Sequence, residues 1–227
     1  PSAGCGNQGF SFFQIFPGIV IDHSVHNRYI NLMTAIGRPK EFDREEALDR
    51  AMELFWAQGY EATGLRELLE HMGIGRQSLY DTFGDKQRLF VEAIRHYNKR
   101  MSAGFVARLS GPGSPTDRIR QAITSIGHSV SDGQCRGCLL TNTLVESAPH
   151  DSEIAEAAKS MLSSMENVFR QVLQEAIDEG ELSEETNIRA LARFLVSTIQ
   201  GLVVMGKASV SRSATKDIVN VSLSVFD

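Results

Sequence analysis

Two groupings in this sequence hold residue types that could do chemistry. The first is Cys135-Arg136-Gly137-Cys138, a C-x-x-C spacing that can form half a zinc site or cycle as a dithiol. Zinc held structurally needs about four ligands. The one further cysteine is Cys5, and His71, His96, His128 and His150 are scattered, so no metal is expected. Arg136 places a cation beside the pair, which raises thiol reactivity. Thiol sensing of oxidants or electrophiles is therefore one reading. The other is that Cys138 is a small buried hydrophobe and Cys135 incidental. The chain has no H-E-x-x-H, no G-x-S-x-G and no phosphate-cradling glycine loop, so neither an enzyme nor a cofactor is expected.

The second grouping is a short polar run, Arg76, Gln77, Ser78, Asp81 and Thr82, interleaved with Leu79 and Phe83. An arginine fork matches the edge of guanine and a glutamine amide that of adenine, so a helix presenting such residues outward can read duplex DNA. Arg76, Gln77, Ser78 and Thr82 are candidates for base edges or phosphates. Arg38 and Lys40, in Gly37-Arg38-Pro39-Lys40, form a basic arm suited to a narrow minor groove.

The elements that must position these residues are helices. Asp43 with Glu46 three residues on reads as a capping box, and Leu48, Ala51, Met52 and Phe55 share one helix face behind it. Gly59 ends that helix. Leu65, Leu68, Leu69 and Met72 repeat the spacing, Gly73-Ile74-Gly75 breaks it, and Arg76 to Phe83 follows as a second short helix. Two helices joined by a three-residue turn satisfy the helix-turn-helix pattern. Gly84-Asp85 restarts a helix carrying Phe90, Ala93, Ile94 and Tyr97. After the Ser110–Pro115 loop the patterns are helical throughout, at about 116–131, from near Cys138, through Met161 to Val172, from Ile188 to Leu202, and at about 215–225. The fold class is all-α: an N-terminal three-helix helix-turn-helix domain plus a helical ligand-binding and dimerisation domain. Residues 37–84 form the first and 85–227 the second. Residues 1–36, with little charge and no steady period, read as a tail outside the fold, with Met33 as the natural start.

Charge argues against a general nucleic-acid coat, because the net value is −5. Residues 37–100 hold 11 Lys and Arg against 12 Asp and Glu, and residues 101–227 hold 11 against 15. A DNA reading thus depends on where the cations lie. The apolar stretch from Phe10 to Ile21 is interrupted by Ser11, Gln14 and Pro17 and is too short to span a bilayer. No membrane association is expected, and cysteine usage fits the cytoplasm.

The stretch GRPKEFDREEALDRAMELFWAQGYEATGLRELLEHMGIGRQSLYDTFGDKQRLF resembles the DNA-binding domain of the TetR family of transcriptional regulators. Phe55, Gly59, Tyr60, Ala62, Thr63, Met72, Gly73, Ser78, Leu79, Tyr80, Phe83, Lys86 and Leu89 carry the match, which is close over about 37–97. GCLLTNTLVE resembles part of one subgroup's sensor domain. Gly64 departs from the pattern, where Ser or Thr often caps the second helix. The resemblance implies a ligand-responsive dimeric repressor of a palindromic double-stranded operator. It implies a phosphate contact from the Tyr80 hydroxyl and phosphate anchors at Thr63 and Lys86. It also implies a homodimer through the last two helices, where Gly201 to Ala208 is apolar and rich in small residues. An unknown small-molecule effector would meet the middle helices, with Phe105, His128, Cys138, Asn142, Met165, Phe169 and Gln200 as candidate contacts. A helical protein-interaction module that has lost DNA binding is the competing reading, and the acidic balance favours it.

Overall fold

The computed structural model describes residues 42–131 and 137–227. The described residues form α1 (Arg44–Gln58), α2 (Leu65–Met72), α3 (Arg76–Phe83), α4 (Lys86–Leu109), α5 (Pro115–Ser131), α6 (Leu139–Glu146), α7 (Ser152–Asp178), α8 (Ile188–Lys207) and α9 (Arg212–Leu223), with a closing 3-10 turn at Ser224–Phe226. No strand occurs among them. The tail at 1–36, Met33, Arg38, Lys40 and Cys135 lie outside the described residues.

The helix starts follow local chemistry. Asp43 caps α1 by accepting from the Glu45 and Glu46 N–H groups at 2.8 and 3.0 Å. Only half of the expected capping box forms. The Glu46 carboxylate turns forward to Arg50, one turn along, at 2.5 Å, because an i,i+4 cation competes with the cap for it. Asp85, Asp151, Asn187 and Ser211 cap α4, α7, α8 and α9 in the same way. Helix α5 opens at Pro115, where the missing N–H costs nothing. Helix α9 begins at Arg212, three residues before the expected Thr215, because Ser211 supplies the cap.

Helices α1 to α3 close a head around Leu48, Phe55, Leu68, Met72, Leu79 and Phe83, all buried. The turn between α2 and α3 depends on Gly73, whose φ of 70° is left-handed and whose N–H reaches back to Leu69 and Glu70. That geometry suits glycine because any Cβ is penalised there. The first half of α4 completes the head: Phe90 meets Phe55 edge-on at 4.9 Å and Tyr60 at 4.7 Å. The expected boundary at 84/85 therefore falls where one long helix begins its passage through both parts, and the buried cluster is continuous from α1 to α9.

Behind the head, α7 packs on α4, α5, α6 and α8, and α9 packs on α5 and α8. Arg118 ties this body together. Its buried guanidinium donates to the Leu109 carbonyl at 2.7 Å and to Glu175 at 2.6 Å, joining the end of α4, α5 and α7.

Candidate nucleic-acid interface and effector cavity

Helix α3 faces two ways. Leu79 and Phe83 point into the head and are buried, while Arg76, Gln77, Tyr80 and Asp81 are exposed and Ser78 and Thr82 half-buried. Burying those two apolar side chains stabilises this two-turn helix by roughly 2 kcal/mol each, which a helix this short requires. Tyr80 is 46% exposed, so its ring is a surface group and not a packed aromatic. The Gln77 amide donates to Asp81 one turn on at 2.8 Å. Asp81, which the sequence places only among the polar outer residues, is thus the partner of the Gln77 amide. The signal was its i,i+4 spacing from Gln77.

Two of the expected phosphate anchors are not open side chains. Thr63 is 1% exposed, and its hydroxyl donates to the Gly59 carbonyl at 2.6 Å. The chain leaves α1 at Gly59, where φ is 85°, and the Thr63 hydroxyl satisfies the carbonyl left behind. Lys86 is half-buried, with its ammonium 4.2 Å from the Tyr60 ring centre. Burial lowers its pKa, while the Glu61 and Glu146 carboxylates pull the other way. Burial raises the Tyr60 pKa, with Glu61, Asp85 and Asp151 adding to it.

A cavity of about 90 Å³ lies between α4, α5, α7 and α8, with Cys138 at the start of α6 in its wall. Of the sequence candidates, Phe105, Cys138, Met165 and Gln200 line it, joined by Tyr97 and Met161, which the sequence places on apolar helix faces, and by Ile199, which it does not single out. The wall is almost wholly apolar. Gln200 is its principal amide, held by Thr141 at 2.6 Å. Three further candidates lie away from this cavity. Phe169 is fully buried behind Phe105, stacked edge-on at 5.1 Å. His128 faces a separate groove between α5 and α9. Asn142 lies on the outer side of α6, where it accepts from Lys207 at 3.0 Å. About two residues, half a turn, divide one face of α6 from the other, and sequence spacing alone did not fix its rotation.

Cys138 is 8% exposed and receives the Tyr97 hydroxyl on its sulfur at 3.4 Å. Tyr97 meets Trp56 edge-on at 5.4 Å, and the Trp56 N–H donates to the Gly137 carbonyl at 3.2 Å. The cavity wall is thus bonded to α1 of the head.

On α8, Phe194, Ser197, Gly201 and Val204 fall along one open face; Phe194 and Val204 are 41% and 50% exposed. On α9, Val221 is 71% exposed. Helix α8 is long and apolar enough to cross a membrane by length and mean hydropathy. Its other face, with Ala192, Leu195, Ile199 and Leu202, is buried against this protein's own core.

A helix-turn-helix head on an all-helical body with an internal apolar cavity defines a DNA-binding regulator with a sensor domain. Comparison with known proteins agrees. Residues 47–93 match the family described as bacterial regulatory proteins, tetR family, and residues 115–221 the tetracyclin repressor-like C-terminal domain. The chain is 40% identical over 194 residues to the uncharacterized HTH-type transcriptional regulator YezE of Bacillus subtilis (strain 168), covering 85% of this chain and all of that one. It is 32% identical over 192 residues to the HTH-type transcriptional repressor ComR of Escherichia coli (strain K12), covering 84% and 91%. Among solved structures, a cysteine mutant of the TetR family transcriptional regulator CifR, complexed with 26bp double-strand operator DNA, superposes with a TM-score of 0.74 at 31% identity, covering 84% of this chain and all of that one. The chain belongs to the TetR family of transcriptional regulators.

Proposed function

We propose that this protein is a dimeric repressor acting in the cytoplasm, which places α3 of each subunit in the major groove of a palindromic operator and leaves it when a small apolar effector fills the cavity. The observation that carries this is the division of α3, with Leu79 and Phe83 inward and Arg76, Gln77 and Tyr80 outward. Arg76 and Gln77 read base edges; Ser78, Tyr80, Thr82 and Lys86 hold phosphates, which position the head without reading sequence. Arg38 and Lys40 would extend the contact into the minor groove. The repressor name of ComR and the operator DNA bound to CifR support the same reading. The dimer uses the open face of α8 and α9, whose small residues let two helices approach closely. A gel shift on the DNA upstream of its own gene, at low and moderate salt, tests the proposal. Specific binding that weakens steeply with salt is expected. No shift at any salt would favour the protein-interaction module.

A thiol-reactive effector is a second reading, favoured by the position of Cys138 in the cavity wall under the Tyr97 hydroxyl. N-ethylmaleimide adding there forms one S–C bond, and the thiol proton ends on the neighbouring carbon of the ring, so no oxidant is needed. Release from DNA should track the adduct on Cys138 by mass spectrometry and vanish in Cys138→Ser. Release that persists with both Cys135 and Cys138 replaced by Ser would contradict it.

A further inference from the structure

The cavity between α4, α5, α7 and α8 has few polar atoms, and their hydrogen bonds have a direction. The Gln200 carbonyl oxygen accepts from the Thr141 hydroxyl at 2.6 Å, and Thr141 is not part of the cavity wall. The Gln200 amide nitrogen is left on the wall side, where it donates to the Met165 sulfur at 3.8 Å. A thioether is a weak acceptor, so this donor is under-used. The reverse orientation would set the carbonyl oxygen against a sulfur that has no hydrogen to give. The other polar groups of the wall do not oppose this arrangement. The Ser164 hydroxyl donates to the Ser160 carbonyl at 2.9 Å, and the Tyr97 hydroxyl donates to Cys138 at 3.4 Å. Ser102 brings a hydroxyl that donates or accepts equally well and so does not discriminate. No charged side chain lines the cavity among the described residues. An ionised ligand would therefore be buried without a partner.

We infer that the cavity selects an uncharged, mainly apolar molecule carrying a hydrogen-bond acceptor, such as a ketone or ester carbonyl. That acceptor replaces the Met165 sulfur as partner of the Gln200 amide, and Thr141 is the positioning residue that keeps the donor end of the amide inward. The inference rests on the effector reading above and deepens it by naming the chemical class of the ligand. Size sets a further limit. A cavity of roughly 150 Å³ holds benzene, and this one is about 90 Å³, so it takes a molecule smaller than benzene. Butanone meets both conditions.

The test uses the full-length wild type, Gln200→Met and Thr141→Val. Their affinities are measured by ligand-observed NMR in sealed tubes for butanone, for butan-2-ol, and for 2-methylbut-1-ene, in which a methylene replaces the carbonyl oxygen. Ratios between ligands are compared across the proteins, so that the hydration of each free ligand cancels. Methionine keeps the length of the glutamine side chain and removes its amide, and thermal melting checks that each variant is folded. The ratio of butanone to alkene affinity should fall roughly threefold to tenfold in Gln200→Met, the worth of one hydrogen bond. In Thr141→Val the amide is free to turn, so the ratio of butan-2-ol to butanone affinity should rise above that of the wild type. An unchanged ratio there would overturn the positioning role of Thr141. Binding of butanone and the alkene with the same ratio in the wild type and Gln200→Met would overturn the acceptor class and leave the apolar-effector reading intact. No binding of any of the three ligands by the wild type would overturn both.

Discussion

Gln77 and Tyr80 lie three residues apart on α3 and should fail differently when altered. Gln77 is held by Asp81 and aimed outward, so Gln77→Ala should lose affinity for the matched operator while changing little on a mismatched one. The expected difference is about 1–3 kcal/mol, which competition binding on operator variants would reveal. Tyr80→Phe removes a phosphate partner and should weaken binding evenly across sequences. Equal loss on matched and mismatched operators for Gln77→Ala would contradict its reading role. Asp49 on α1 marks a stability hinge between α1 and α4. It accepts from His96 at 2.7 Å and from Arg100. Burial raises its pKa, but the His96 hydrogen bond and the Arg100 charge outweigh this and hold it below 3.8. A lowered carboxylate pKa gives stability that is present above the unfolded value and is lost as pH falls through the folded one. Asp49→Asn should therefore cost about 1 kcal/mol at neutral pH, allowing for its partial exposure. The gap in melting temperature from wild type should close as pH falls below about 4.

At the scale of elements, the helices were legible because each carries its own start signal and apolar face. The bounds of α3 follow from glycines on both sides and from Leu79 and Phe83. What sequence could not supply was contact between distant segments. Thr63 faces inward because of a carbonyl freed by Gly59, and His128 and Asn142 leave the cavity because of how α5 and α6 are rotated. No local pattern encodes these rotations; packing against other helices sets them. The contact of Glu146 with the Glu61 N–H was invisible for the same reason, since the two lie 85 residues apart. The turn between α2 and α3 makes a direct test. Gly73→Ala forces a Cβ onto a left-handed residue and should destabilise the head by about 1 kcal/mol. Because the turn aims α3, DNA affinity should fall by more than the drop in folded fraction measured by thermal melting. Loss of affinity that only matches the folded fraction would show that the turn does not aim the helix.

For the whole molecule, the acidic total need not oppose DNA binding: residues 37–100 carry a net −1 and residues 101–227 a net −4, and Arg76 is exposed on α3. The open apolar row on α8 and α9 is the other exposed surface that the account uses. Gly201→Arg, at a position with nothing within 4 Å of an added Cβ, should leave the subunit folded. In the proposed dimer that position would be crowded, so sedimentation should show monomers, and operator affinity should collapse because two heads would no longer bind as one unit. A dimer that survives Gly201→Arg would place the interface elsewhere.

Hydroxyl-radical footprinting of the wild-type protein on the DNA upstream of its gene tests the central claim most directly. Two protected patches related by a dyad, their centres one helical turn of about 34 Å or a multiple of it apart, with both patches lost together in Gly201→Arg, are the predicted result. A single protected patch without dyad symmetry, or protection unchanged when the α3 face is altered by Gln77→Ala and Tyr80→Phe together, would contradict it.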